Sequence, residues 1–168
     1  MPHRQGDDLH VTAGKECVRS NHERVGLAAL GGPAWRLWGE TRDWARVNGR
    51  ADLPWVKADL AECYARLEAM KLLNARMVEA IAEDRLEPAD ASAAKVYGTE
   101  THVHVYRKLL GVLGAAGWLR PGSPGAALKG DVERYARSAQ INTFGGGVNE
   151  VQREIVATAG LGMKRLAR

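Results

Sequence analysis

Apolar residues recur along the middle of the chain with a helical period. From Pro54 onward, Val56, Leu60, Cys63, Leu67, Met70, Met77 and Ile81 follow at three- and four-residue steps, with Asn74 as the polar member of the stripe. Such spacing turns one face of an α-helix toward a core. A proline suits the first helical turn, where its missing N–H would have no partner anyway. The pattern predicts a long amphipathic helix from Pro54 to about Ala82.

A second helix is expected after Pro88, with Val96, Val103 and Leu110 a heptad apart and His102, Tyr106, Leu109 and Leu113 beside them, ending near the "GAAG" of Gly114 to Gly117. The string "WLRPGSPGAALKG" from Trp118 to Gly130 is rich in Gly and Pro and reads as a loop, one that folds over a neighbouring subunit or a ligand. A short helix from about Asp131 to Gln140 follows. Upstream, Asn21 to Asn48 is helical in pattern, with a break or kink at Gly31, Gly32 and Pro33. No stretch alternates as a strand would, and no internal repeat is visible. Short connections make successive helices antiparallel, so the expected fold is all-α, an up-and-down four-helix bundle. Residues 1–20 are expected to form an atypical, disordered extension and residues 21–168 the helical domain.

Composition adds few constraints. The 168 residues suffice for one domain with a buried core. Cys17 and Cys63 lack metal-like or disulfide-framework spacing, the start has no apolar signal core, and no long uninterrupted apolar run occurs. These features point to a cytoplasmic protein with no membrane span. The net charge of +4 is spread along the chain, and basic residues do not cluster with aromatics, so nucleic acid is not an expected partner. His102 and His104 have no metal partners in the sequence pattern and read as core or interface residues.

The stretch "TFGGGVNEVQREIVATAGLG", Thr143 to Gly162, holds the least ordinary chemistry. Asn149 is placed to cap a final helix, with Gln152 completing a capping box and Val151, Ile155 and Val156 facing a core. The glycines before it fit two readings on spacing alone. They form either a simple turn or a cradle for an anionic phosphate or thioester oxygen at a helix N-terminus.

Several segments in order resemble a known family. "NHERVGLAALGGPAW" (Asn21 to Trp35), the proline-started helix, "VLGAAGWL" (Val112 to Leu119), "RSAQINTFGGG" (Arg137 to Gly147) and "NEVQREIVATAGLG" are similar to the C-terminal helical domain of acyl-CoA dehydrogenases, the actinobacterial type above all. The resemblance covers about Asn21 to Met163, and its final block is the most specific. It implies oxidation of an acyl-CoA to the 2,3-enoyl-CoA with FAD, electrons passing to an electron-transfer flavoprotein, and a homo- or hetero-oligomer of dehydrogenase subunits. The N-terminal helical and middle β domains of a whole subunit have no counterpart here. The resemblance therefore implies a truncated subunit, inactive alone, or a noncatalytic assembly subunit that completes the FAD site of a partner.

The same resemblance assigns roles. The family's catalytic glutamate stands either on the loop before the last helix or on the first helix of this domain, two positions that converge in space. Aligning "VQR" puts Gly146 at the loop position, and aligning "HER" puts Glu23 at the helical one. The implied base is Glu23, with Gly146 leaving room for it and offering its backbone to the thioester carbonyl. Gly114 and Gly117 match the family's glycine turn near the FAD pyrophosphate, though "GAAG" departs from it by one glycine. Arg137 matches an arginine ahead of the base loop. A further FAD-contacting arginine corresponds to Arg42, Arg46 or Arg50, and the sequence does not choose among them.

Overall fold

The structure, a computed structural model, describes residues 32–164. Five α-helices make up the fold: α1 (Pro33–Val47), α2 (Pro54–Ala82), α3 (Pro88–Leu113), α4 (Asp131–Asn142) and α5 (Asn149–Ile155). Two 3₁₀ turns, Gly114–Trp118 and Ala127–Gly130, interrupt the connection between α3 and α4, and a π-turn at Val156–Gly160 prolongs α5. There is no strand among the described residues. The all-α expectation holds.

Prolines open the first three helices, each at the first turn. In α1, Ala34, Leu37, Thr41 and Ala45 are buried at three- and four-residue steps. Trp38 donates its indole N–H to the Leu60 carbonyl at 2.9 Å, and Trp35 meets Trp38 and Tyr64 edge-on, which joins α1 to α2. Asn48 ends α1 by donating its side-chain amide to the Trp44 carbonyl at 2.8 Å.

The predicted stripe of α2 is buried from Val56 to Met77. Each such large apolar side chain contributes about 1.5–3 kcal/mol when fully withdrawn from water. Ile81 departs from the expectation, being exposed together with Leu72, Leu73 and Val78. The cause is length: α2 outruns α1, so its far end has mainly α3 beside it.

Helix α3 is the spine, packed against α1, α2, α4, α5 and the 3₁₀ turn that follows it. Because neighbours surround it, no single heptad seam describes its burial. Val96 and Val103 are only half-buried, whereas Val105, Tyr106, Leu109, Leu110, Val112 and Leu113 are buried around most of the circumference. The connection from Trp118 to Gly130 crosses back over its own backbone. Gly130, at φ 77°, lies so close to Pro121 that a Cβ there would stand 2.5 Å from the Pro121 nitrogen.

Candidate functional site

The glycine loop joins α4 to α5. Gly146 and Gly147 have φ of 71° and 94°, a region that other residues seldom occupy. A Cβ on Gly147 would stand 2.6 Å from the Gln152 amide nitrogen, while Gly145 faces open space. Two of the three glycines are therefore set by backbone geometry.

Side chains hold the loop from both ends. Lys95 of α3, 8% exposed, donates from Nζ to the carbonyls of Thr143 (3.1 Å) and Gly147 (2.8 Å) and to Asn149 Oδ1 (2.6 Å). Gln152 Nε2 donates to the Gly146 carbonyl at 3.0 Å. The Asn149 amide nitrogen donates to Thr99 Oγ1 (3.1 Å) and Glu100 Oε1 (3.2 Å), and Arg153 pairs with the same Glu100. Burial pushes the Lys95 ammonium below its usual range, against the pull of Glu150 and Glu100.

This network overturns the expected capping box. Val148 occupies the cap position of α5 without a side-chain cap bond, Asn149 turns inward to Lys95, and Gln152 reaches the loop carbonyl. A charge-assisted bond from an ammonium outcompetes a neutral cap for the Asn149 oxygen. Val151, expected to face the core, is 47% exposed. Lys95 escaped the sequence reading, although Ser92, Lys95 and Thr99 form a polar stripe at three- and four-residue steps on the inward side of α3.

A second cluster sits at the other end of α3. Gly114 has φ 64°, and a Cβ on it would stand 2.8 Å from Arg50 Nη1. The Arg50 guanidinium also lies over the Trp55 ring, 5.5 Å from its centroid. Arg42 and Arg46 both bond to Asp43, at 2.9 and 3.3 Å, whereas Arg50 has no carboxylate partner among the described residues. Gly117 is buried instead, and a Cβ there would stand 2.6 Å from Leu113 Cβ, so this glycine lets the 3₁₀ turn pack beneath α3. Arg137 is on the exposed face of α4 in a two-pronged pair with Glu133, at 3.0 and 3.3 Å, which holds that carboxyl below its usual range.

The structure does not gather these residues into one place. Lys95, beside the glycine loop, and Gly114 are about 28 Å apart along α3 at the helical rise of 1.5 Å per residue. Glu23 lies outside the described residues, as does Cys17. Among the described residues no group of His, Cys, Asp and Glu could hold a metal ion, and no helix is long and apolar enough to cross a membrane. Cys63 is buried, with its thiol pushed up to about 12 chiefly by burial, which disfavours the thiolate. His102 stacks on Tyr106, and His104 Nε2 lies 2.9 Å from Glu62.

Comparison with known proteins identifies the class. The family profile described as acyl-CoA dehydrogenase, C-terminal domain, matches residues 18–161. The chain is 44% identical over 157 residues to acyl-CoA dehydrogenase FadE26 of Mycobacterium tuberculosis, covering 88% of this chain and 39% of that protein. Among solved structures it is similar to the Tcur3481-Tcur3483 steroid ACAD, with a TM-score of 0.82 and 60% identity, over 87% of this chain and 38% of that one. It is also similar to the ChsE4-ChsE5 complex from Mycobacterium tuberculosis, with a TM-score of 0.73 and 45% identity, over 80% and 36% of the two chains.

The chain belongs to the acyl-CoA dehydrogenase family, in which it corresponds to the C-terminal helical domain. It spans about two fifths of the length of these relatives.

Proposed function

We propose that this chain serves an FAD-dependent acyl-CoA dehydrogenase as its C-terminal domain, within an assembly that turns an acyl-CoA into the 2,3-enoyl-CoA. The observation that carries the reading is the loop at Gly146. The position that a catalytic carboxylate takes in part of the family holds a glycine at positive φ, in a loop fixed by Lys95 and Gln152. Glu23 is then the base. Its carboxylate takes the α proton while the backbone at Gly146 meets the thioester carbonyl as enolate character develops. In general a carboxylate withdrawn from water beside an acyl chain is a stronger base, because desolvation disfavours its charged form.

The residues at the far end of α3 fit the FAD pyrophosphate. Arg50 carries a charge that no described carboxylate neutralises, and the missing side chain at Gly114 leaves its guanidinium in place. Arg50 and Gly114 would hold the pyrophosphate, with Gly117 shaping the turn and Arg137 nearer the glycine loop. The capacity to take up the β hydride comes from FAD when it is bound. An electron-transfer flavoprotein is the expected acceptor of the electrons.

A second reading is a noncatalytic subunit that completes the FAD site of a partner dehydrogenase. The Gly146 and Gly114 clusters lie at opposite ends of α3, which fits sites shared between neighbouring subunits. Two of the similar structures carry paired subunit names, Tcur3481-Tcur3483 and ChsE4-ChsE5, which fits a hetero-oligomer.

The test is to titrate the purified chain with FAD, alone and co-expressed with dehydrogenase subunits, and then add acyl-CoAs with an artificial electron acceptor. The chain alone is expected to bind FAD poorly and to show no turnover, because catalysis needs reacting atoms held about 3–3.5 Å apart in a closed site. In the assembly, loss of turnover but not flavin in Glu23→Gln supports the first reading. A silent Glu23→Gln with flavin loss in Arg50→Gln supports the second. Sub-micromolar FAD binding and substrate-dependent bleaching by the chain alone would refute the dependence on an assembly.

A further inference from the structure

Near the start of α3, polar side chains on its inward face serve the glycine loop rather than the apolar core. An ammonium has three N–H donors, and Lys95 uses each on a different acceptor: the Thr143 carbonyl, the Gly147 carbonyl and Asn149 Oδ1. The carbonyl between them, that of Gly146, is held by Gln152. Asn149 is in turn anchored to α3 through Thr99 and Glu100. The loop is thus tied to one rigid helix by a connected set of bonds.

Something must impose that geometry, because glycine has little preference of its own. Successive glycines are free to take many backbone conformations, and holding them in one is opposed by conformational entropy. Placing an ammonium at 8% exposure is itself unfavourable unless its bonds are complete, and a packed apolar side chain would fill the space at less cost. A lysine at this position is explained by the bonds it makes and not by its volume.

We infer that Lys95 is a positioning residue that sets the peptide planes from Thr143 to Gly147, and with them the backbone that Gly146 presents. Its catalytic consequence rests on the reading of Gly146 as the thioester contact. The carbonyls of residues 143, 146 and 147 all turn toward side-chain donors, so the Gly145–Gly146 amide is bracketed by held peptide groups on both sides. Misplacing a reacting group by about 1 Å costs on the order of 100-fold in rate.

Two loop amides report on the clamp directly. Gly145 donates to the Ile141 carbonyl at 3.2 Å and Asn149 to the Thr143 carbonyl at 3.1 Å. Residue-resolved amide exchange is measured in the full chain for wild type, Lys95→Met and Lys95→Arg, with Leu67 and Leu109 as core references. In Lys95→Met the Gly145 and Asn149 amides are expected to exchange at least about tenfold faster while the core stays within about twofold, the pattern of a local opening. Lys95→Arg, which keeps a charged donor, should return most of that protection. Should Lys95→Met not fold, Lys95→Gln keeps two donors on a shorter side chain and is expected to loosen the loop by about threefold.

In the assembled holoenzyme, Lys95→Met is expected to lower kcat by about 10- to 100-fold with KM little changed. Unchanged loop exchange, an equal rise in the core, or a loosened loop with unchanged kcat each overturns the inference. If the wild-type assembly turns over no acyl-CoA, the proposed reaction fails, and the exchange data alone then decide whether Lys95 sets the loop.

Discussion

Arg50 stands directly against Gly114, its Nη1 2.8 Å from the point a Cβ on that glycine would occupy. The two residues close the junction between the turn after α1 and the end of α3. Arg42 and Arg46 are spent on Asp43, so the arginine that the sequence left undecided is distinguished by its surroundings. In the assembly, Arg50→Gln is expected to weaken FAD binding by about 10- to 100-fold, the scale of a charged hydrogen bond of 1.5–3 kcal/mol. Arg42→Gln and Arg46→Gln should stay within about threefold of wild type, as exposed pairs contribute little. Flavin fluorescence titration separates these outcomes, and an equal loss in all three variants would show that net charge alone governs binding.

Glu23→Gln in the same assembly is expected to keep flavin and lose at least about 100-fold in turnover, as befits a general base. Gly146→Glu added to that variant should recover part of the activity if both positions reach one α carbon. Recovery will be incomplete because Gly146 has φ 71°, where a side chain is strained. Near-normal turnover in Glu23→Gln rejects the assignment of the base.

Glycines elsewhere give a stability test with opposite signs. Gly130→Ala places a Cβ 2.5 Å from the Pro121 nitrogen and 2.7 Å from the Arg120 carbonyl carbon at φ 77°, and should cost about 2–4 kcal/mol. Gly39→Ala lies inside α1 with nothing within 4 Å and should stabilise by about 0.5–1 kcal/mol. Urea unfolding of both variants measures this, and a loss under about 1 kcal/mol for Gly130→Ala would mean that the crossing backbone yields.

Helix starts were readable from the sequence because their causes are local. Pro54 and Pro88 begin α2 and α3 as expected, and the three- and four-residue spacing from Val56 to Met77 marks the buried face. Ile81 fits the same pattern but is exposed, since burial depends on whether a neighbour extends that far. Lys95 could not be read as a clamp. Its partner Thr143 is 48 positions away, and only packing brings the two within 3.1 Å. The Asn149 cap failed for the same reason, as a distant ammonium claimed its side chain. The different surroundings of Arg50, beside Gly114, and of Arg42 and Arg46, both paired with Asp43, likewise depend on packing that sequence spacing does not weigh.

His102 should make stability depend on pH near neutrality. Burial lowers its pKa from 6.5, so the unfolded chain takes up a proton before the folded one does. Stability is then lost as pH falls below about 6.5, the unfolded value, and the loss levels off at the lower folded pKa. The urea midpoint of the wild type is expected to fall between about pH 7 and 5.5, and His102→Gln should flatten that fall. An unchanged slope in the variant would place the titration at another group.

Exposed apolar residues near the loop should make the isolated chain associate. Ile141, Phe144 and Leu161 are 70%, 68% and 71% exposed, and such surface drives self-association. Light scattering across micromolar concentrations should show oligomers or aggregates, reduced by Phe144→Ser. A stable monomer in the wild type would count against this.

The distance between the two ends of α3 has a genetic corollary. If Gly114 and Gly146 of one chain serve different reacting centres, a copy damaged at Arg50 and a copy damaged at Glu23 each retain the half that the other lacks. Co-expressed in one homo-oligomer, the two inactive alleles would rebuild an intact centre at one subunit junction while ruining the other. Such intragenic complementation, with at most about half of the centres restored in mixed particles, would not arise from a domain whose functional residues all met at a single point.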